Sequence, residues 1–235
     1  MSEKVRVKKK FFHGGLLRVL LWGWFVCLGL AGNEDSTRFH LSGLRLGSSS
    51  PTLDSDAGVL LGELTKRTHV DPTKKAWSWV SPDSLFKGAP FLWVFVGSNS
   101  TMDKDKALKI HRFISAGGTV MVEGSGVQRA GAIRQLREEV FSHSKGAIQV
   151  KKDDLLTRTF YLLRPEYSKA LGTLRQAGRV VWIETQQPLL SGIARLGGAP
   201  REHRIRSAVN IVLYALTGSY KDDLTHRKYL RRRKR

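Results

Sequence analysis

The chain has almost no cysteine and few acidic residues. Cys27 is the single cysteine among 235 residues, which excludes an internal disulfide, a cysteine-based zinc site and a dithiol redox pair. Seven histidines are present, but no two have the i, i+4 spacing that places metal ligands on one helix face. The sequence therefore predicts no metal centre and no resident cofactor.

Acidic residues are outnumbered, with 20 Asp and Glu against 40 Lys and Arg and a formal net charge of +20. Much of the excess lies at the two ends of the chain. Seven of the last nine residues, from Arg227 to Arg235, are basic, and such a tail can bind anionic lipid through phosphate contacts or remain solvated without a fixed partner. Nucleic acid is the less favoured partner, because the chain also carries an export signal.

That signal lies in residues 1–31. Basic residues precede an apolar run at residues 19–31, which is 13 residues long. A membrane-spanning helix needs about 20 apolar residues and the apolar part of a signal peptide about 7–15. Gly29 and Ala31 are small, as signal peptidase requires. The segment is predicted to be a signal peptide cleaved after Ala31; an uncleaved membrane anchor and a buried N-terminal helix are the alternatives.

The central part of the chain predicts an α/β fold. An apolar run at residues 91–96 has the length of a strand covered on both faces. A helical pattern at 103–115, the Gly117-Gly118 stop, a strand at 119–122 and a helix at 127–141 follow. This βαβ order predicts one domain with a parallel sheet and right-handed crossovers.

The remaining elements are less regular. We expect a strand at 39–46, a helix capped by Ser55 or Asp56, an extended segment at 157–163 and a helical segment at 165–176. A further buried strand is predicted at 179–184. The last helix is predicted over 203–216, where apolar residues recur at helical spacing and Gly218 is placed as the C-cap.

Four segments resemble one family in the same order. They are residues 88–93 (GAPFLW), 117–119 (GGT), 154–162 (DLLTRTFYL) and 210–226 (NIVLYALTGSYKDDLTH). Together they resemble DUF4159, a bacterial domain family of unknown function, over most of residues 37–226. The resemblance implies a three-layer α/β sandwich with a mostly parallel sheet, Rossmann-like or flavodoxin-like, related to class I glutamine amidotransferases. It also implies an exported protein, periplasmic or associated with the inner membrane. A glutamine amidotransferase reaction is excluded, because no cysteine remains after residue 31.

Ligands bind beyond the carboxyl ends of the strands in an open parallel sheet. The polar residues that follow two of the predicted strands are therefore the candidate ligand site: Gly97, Ser98, Glu123, Gly124, Ser125 and Gly126. The glycines could present backbone N–H groups to an anion, although no complete nucleotide motif is present. Glu123 and Glu184 could form a carboxylate pair if their strands are neighbours; a cap or an ion pair is the alternative role for each.

Ser125 lies between two glycines after a strand, as a nucleophile does in hydrolases, but the G-x-S-x-G pattern is incomplete. A second candidate surface follows the last helix. Polar loop residues suggest recognition, and Tyr220, Lys221, Asp223 and His226 are the candidate partner-binding residues. In the structural alternative, Lys221 and Asp223 pair locally and Asn210 and Tyr214 fix the helix to the sheet.

The sequence contains no assembled catalytic set. It predicts a non-catalytic envelope domain that binds a protein partner or a small ligand. The alternative is a cryptic hydrolase that uses Ser125 or Glu123 at the carboxyl edge of the sheet.

Overall fold

The structure is a computed structural model. It describes residues 39–47, 52–68, 70, 72–85, 90–97, 100, 103–124, 129–142, 148–149, 155–168, 170–185 and 187–221. The predicted signal segment (1–31) and the basic tail (227–235) lie outside the described residues.

Seven strands and five α-helices are assigned within these residues. The strands are Phe39–Leu46 (β1), Pro72–Trp79 (β2), Phe91–Val96 (β3), Thr119–Gly124 (β4), Ile148–Gln149 (β5), Leu171–Gln176 (β6) and Arg179–Thr185 (β7). The helices are Leu53–Arg67 (α1), Lys104–Ser115 (α2), Arg129–Phe141 (α3), Pro165–Ser168 (α4) and Gly198–Lys221 (α5). Short 3-10 turns occupy Pro82–Ser84, Leu155–Thr157 and Ile193–Arg195.

All seven strands form one sheet in the order β2-β1-β3-β4-β7-β6-β5. The neighbours from β2 to β7 are parallel, whereas β6 and β5 run antiparallel to their neighbours. The predicted mostly parallel α/β sheet is confirmed.

The sheet has a hydrophobic layer on each face, because side chains of a strand alternate between its faces. In β3, Phe91, Trp93 and Phe95 pack in the cluster formed with α1 and α5. The three residues between and after them, Leu92, Val94 and Val96, pack in the cluster formed with α2 and α3. The domain is thus the predicted three-layer α/β/α sandwich.

Two local signals place α2 and β4. Asp103 caps α2, since its carboxylate accepts a hydrogen bond from the Asp105 amide at 3.0 Å. After the helix, Gly117 has φ of +104°, which glycine adopts without steric cost. A Cβ on Gly118 would lie 2.2 Å from the Phe113 ring. The two glycines therefore let the chain turn tightly from α2 into β4.

The prediction that residues 165–176 form one helical segment is wrong. Only Pro165–Ser168 is helical, and Leu171–Gln176 is a strand that forms a hairpin with β7. Ala177 and Gly178 make the hairpin turn with φ of +49° and +81°, values typical of the tight turns that match the twist of a hairpin. Alanine rarely adopts a positive φ, so only Gly178, one of the two turn residues, indicates this turn in the sequence.

Three further expectations are corrected. Residues 157–163 are not extended throughout, because they continue from a 3-10 turn into bends. Helix α1 begins one turn earlier than expected, with Thr52 as its N-cap residue. Helix α5 extends from Gly198 to Lys221, so Gly218 lies within it and does not end it.

Candidate functional site

The predicted ligand residues that the structure describes do meet at the carboxyl edge of the sheet. Phe95 pairs with Glu123 and Val96 with Gly124 in the register of β3 and β4. Gly97 follows β3, and its amide donates to the Leu46 carbonyl at 2.7 Å, which extends the pairing with β1. Ser98, Ser125 and Gly126 lie outside the described residues.

Glu123 is the central acidic group of this edge. Its side chain is buried, with 1% of the residue exposed. Oε2 accepts a hydrogen bond from the Leu190 amide and Oε1 one from the Ser191 amide, both at 2.9 Å. Charge-assisted bonds of this kind are stronger than neutral ones. The carboxylate therefore holds the loop that follows β7.

Asp56 holds the next part of the same loop. It is wholly buried in the first turn of α1. Its Oδ2 accepts from the Gly192 amide at 2.8 Å, and its Oδ1 from the Ala194 amide at 2.9 Å. Thr52 Oγ1 also donates to Oδ2 at 3.2 Å. Asp56 was expected to cap α1, but its carboxylate instead joins α1 to the chain after β7.

The loop between β7 and α5 is thus fixed by two buried carboxylates from two different elements. Gly192, the first of the two donors to Asp56, has φ of +81°, a conformation that favours glycine. Arg204 of α5 donates to the Ser191 carbonyl at 3.0 Å. Because successive amides of one loop need these acceptors, both carboxylates have structural partners already.

Glu123 and Glu184 do not form a pair. Their strands are neighbours, but Glu123 is opposite Thr185 and Glu184 is opposite Val122. Adjacent positions along a strand point to opposite faces, so the two carboxylates lie on opposite sides of the sheet. Glu184 is bound by Arg137 Nη1 at 2.6 and 2.8 Å and by the Trp182 indole N–H at 2.9 Å. The possible carboxylate pair is therefore not formed, and the alternative role as an ion-pair partner is confirmed for Glu184.

Gly124 allows close packing between β4 and α3. A Cβ at this position would lie 2.6 Å from the Arg129 Cβ and 3.1 Å from the Ile133 Cδ1. Atoms at those distances would overlap, so a larger residue would displace the start of α3. Gly124, one of the glycines of the predicted ligand site, therefore has a packing role.

A further acidic residue stands near the ends of β1 and β2. Asp54 accepts hydrogen bonds from the indole N–H groups of Trp77 at 2.9 Å and Trp79 at 2.7 Å. The Arg45 guanidinium lies 3.7 Å from the centre of a Trp79 ring, a cation–π contact. Both indole N–H groups are therefore engaged, and this corner joins the first two strands to α1.

The predicted partner-binding residues are only partly described. Tyr220 and Lys221 belong to the last turn of α5, not to an irregular segment as expected. Asp223 and His226 lie outside the described residues. One part of the structural alternative is confirmed: Tyr214 Oη accepts a hydrogen bond from the Val180 amide of β7 at 2.8 Å, which ties α5 to the sheet. Asn210 does not bond to the sheet, because its partners lie in residues 156–161.

Asn210 organises a surface that the sequence did not indicate. Its Oδ1 accepts from the amides of Phe160 at 3.2 Å and Tyr161 at 2.8 Å. Its Nδ2 donates to the carbonyls of Leu156 at 2.9 Å and Tyr161 at 2.8 Å. A single buried amide therefore fixes residues 156–161 against α5.

An ion-pair cluster connects α1 to α5 beside this segment. Arg67 donates to both oxygens of Glu202 at 2.8 Å and to Glu63 at 2.7 Å. Arg206 donates to Glu202 at 2.7 Å. Arg67 and Arg206 hold the pKa of Glu202 at about 2, and Glu202 in turn raises the pKa of Arg67. Arg67 also lowers the pKa of Glu63, so these carboxylates are charged partners of arginines.

Neither a metal site nor a membrane span is found in the described ranges. Their His, Cys, Asp and Glu residues form no group of three that could hold a metal ion. No helix there combines the length and apolarity that crossing a membrane requires.

Comparison with known proteins gives one family. The family model DUF4159, described as a domain of unknown function, matches residues 53–216. The matched range begins at the first residue of α1 and ends within α5. No curated protein matches the chain.

Proposed function

The chain belongs to the DUF4159 family, and from that premise we propose that it is a non-catalytic domain that binds a protein partner or a small ligand. The family description supplies no activity. The proposal is therefore based on the chemistry of this chain's own residues.

The observation that carries the proposal is that the acidic groups at the carboxyl edge of the sheet are buried and hydrogen-bonded to backbone amides. A general acid or base needs a carboxyl group within reach of a substrate proton. Glu123 and Asp56 instead accept hydrogen bonds from four backbone amides of one loop. Both groups are also buried, at 1% and 0% exposure, so neither is placed where a substrate proton could reach it. Both therefore favour a structural role over catalysis.

We also propose that the protein is exported and stays in the periplasm or at the inner membrane. The basic and apolar pattern of residues 1–31 supports export. The basic tail from Arg227 to Arg235 supports contact with anionic lipid. Mass spectrometry of the N-terminus, together with fractionation of cells that express the full chain, tests both the cleavage after Ala31 and the compartment.

The discriminating experiment against a cryptic hydrolase is labelling with a fluorophosphonate probe. The wild-type chain, Ser125→Ala and Glu123→Gln are treated in parallel, and hydrolysis of generic esters is followed in the same samples. We expect no labelling that depends on Ser125 and no turnover that depends on Glu123. Stoichiometric labelling of the wild type that Ser125→Ala abolishes would overturn the non-catalytic proposal.

A further test concerns the end of α5. The variants Tyr220→Ala, Lys221→Ala and His226→Ala, combined in one chain, are compared with the wild type in capture experiments from an envelope fraction. A partner that only the wild type retains would support the C-terminal binding surface. Equal retention would return Tyr220, Lys221 and His226 to a structural role.

A further inference from the structure

Two large apolar side chains project at the end of the segment that Asn210 fixes, Phe160 within it and Leu162 directly after it. Phe160 is 49% exposed and Leu162 is 77% exposed, whereas their neighbour Leu163 is buried. Tyr161 packs edge-on against Phe160, with ring centroids 4.8 Å apart. Because the backbone between them is held by a buried amide, both side chains are presented in a fixed arrangement.

A groove of about 300 Å³ lies next to Leu162. Its walls include Leu162, Arg164 and Arg206, and the stacked rings of Tyr167 and His203, whose centroids are 3.9 Å apart. Since a water molecule takes about 30 Å³ in the liquid, the groove has room for one large side chain with part of its backbone. Aromatic residues and arginine are enriched in protein interfaces.

The charges around the groove have a small positive excess. Arg67, Arg201 and Arg206 share the two carboxylates of Glu63 and Glu202, so this cluster has one guanidinium more than it has carboxylates. Arg164 has 72% of its side chain exposed and forms a long ion pair with Glu166 at 3.9 Å, which leaves most of its guanidinium accessible. An exposed guanidinium thus stands beside an exposed leucine.

We propose that the surface formed by Phe160, Leu162, Arg164, Tyr167, His203 and Arg206, the Leu162 surface, binds an acidic peptide segment of a partner protein. A large apolar side chain of the peptide enters the groove, and an adjacent carboxylate binds Arg164. This inference rests on the proposed binding function and specifies its partner. A peptide is favoured over a lipid bilayer because the apolar surface borders a concave groove, which a flat membrane surface would leave unfilled.

The experiment uses the purified full chain and an array of synthetic peptides in which one Leu or Phe stands among Asp and Glu. Matched peptides carry Lys for the acids or Ala for the apolar residue. We expect only the acidic peptides with an apolar residue to bind. Their affinity should fall as the salt concentration rises. Leu162→Asp and Arg164→Glu should each weaken binding by about tenfold or more, since buried anchors and close charge pairs dominate such interfaces.

Leu108→Asp is the matched control. Leu108 is also a large exposed apolar residue, at 45% exposure, but it lies on α2 in the layer across the sheet. We expect Leu108→Asp to bind like the wild type. Thermal unfolding of all three variants should match the wild type, because each replaced side chain is exposed.

Three results would overturn the peptide proposal. In the first, acidic peptides bind no better than their lysine counterparts. In the second, the wild-type chain binds phosphatidylglycerol vesicles more strongly than Leu162→Asp, which would assign the surface to lipid. In the third, the wild-type chain forms a dimer that Leu162→Asp abolishes. None of these results gives the Ser125-dependent labelling that would refute the non-catalytic function, so the two failures are distinguishable.

Discussion

Replacement of Asn210 by Ala should destabilise the domain and alter the Leu162 surface at the same time. The buried amide makes four hydrogen bonds to the backbone of residues 156–161 at 2.8–3.2 Å. A net contribution of roughly 1 kcal/mol per bond gives a loss of about 3–4 kcal/mol in the free energy of unfolding. The bond to the Phe160 amide is the longest and should contribute least.

Urea denaturation followed by circular dichroism measures this loss through the shift in midpoint. Gln176→Ala is the matched control, because it removes an exposed amide side chain at the end of β6; its effect should stay within about 0.5 kcal/mol. Asn210→Ala should also weaken the peptide binding proposed for the Leu162 surface. A change below about 1 kcal/mol for Asn210→Ala would refute the reasoning that this amide fixes the segment.

Three further variants give separate expectations. Gly124→Ala should destabilise the fold by about 1–3 kcal/mol, because its Cβ would overlap Arg129. Gly131→Ala, at a position on α3 with open space around it, should stabilise the fold by about 0.5–1 kcal/mol. Equal effects of the two variants in urea denaturation would contradict the packing role of Gly124. Asp56→Asn keeps one acceptor for two amides and should cost about 1–3 kcal/mol in the same assay; an unchanged midpoint would contradict its role in the loop. Glu202→Gln should be less stable than the wild type by about 1 kcal/mol or less at neutral pH. This difference should disappear as pH falls from about 4.5 towards 2, because the pKa of Glu202 in the folded chain is held at about 2. A difference that persists unchanged in acid would exclude the ion pair as its cause.

The parts of the fold that the sequence predicts well have strong local signals. The apolar run of β3, the helical pattern of α2 and the Gly117-Gly118 stop after it are all readable within a few residues, and the structure confirms them. Strand β6 lacks such a signal, because its pairing depends on β7 and its turn begins with Ala177. Short-range patterns could not reveal a strand that is defined by its neighbour.

For the candidate site too, local patterns are readable from the sequence and long-range contacts are not. Parallel topology is enough to predict that Gly97, Glu123 and Gly124 share one edge of the sheet. The role of Glu123 could not be predicted, because its hydrogen-bond donors Leu190 and Ser191 lie 67 and 68 residues away in the chain. Likewise, no sequence pattern connects Asn210 with the amides of Phe160 and Tyr161, about 50 residues before it.

Amide hydrogen exchange at Leu190 and Ser191 tests most directly whether Glu123 is committed to the loop. Both amides should be protected in the wild-type chain, and Glu123→Gln, with one acceptor oxygen left for two donors, should speed exchange of at least one of them by about 10–100-fold. The Val180 amide, bound to Tyr214 Oη, should keep its protection in both chains. If Leu190 and Ser191 exchange freely in the wild type, the Glu123 carboxylate is free for chemistry and the non-catalytic account is contradicted.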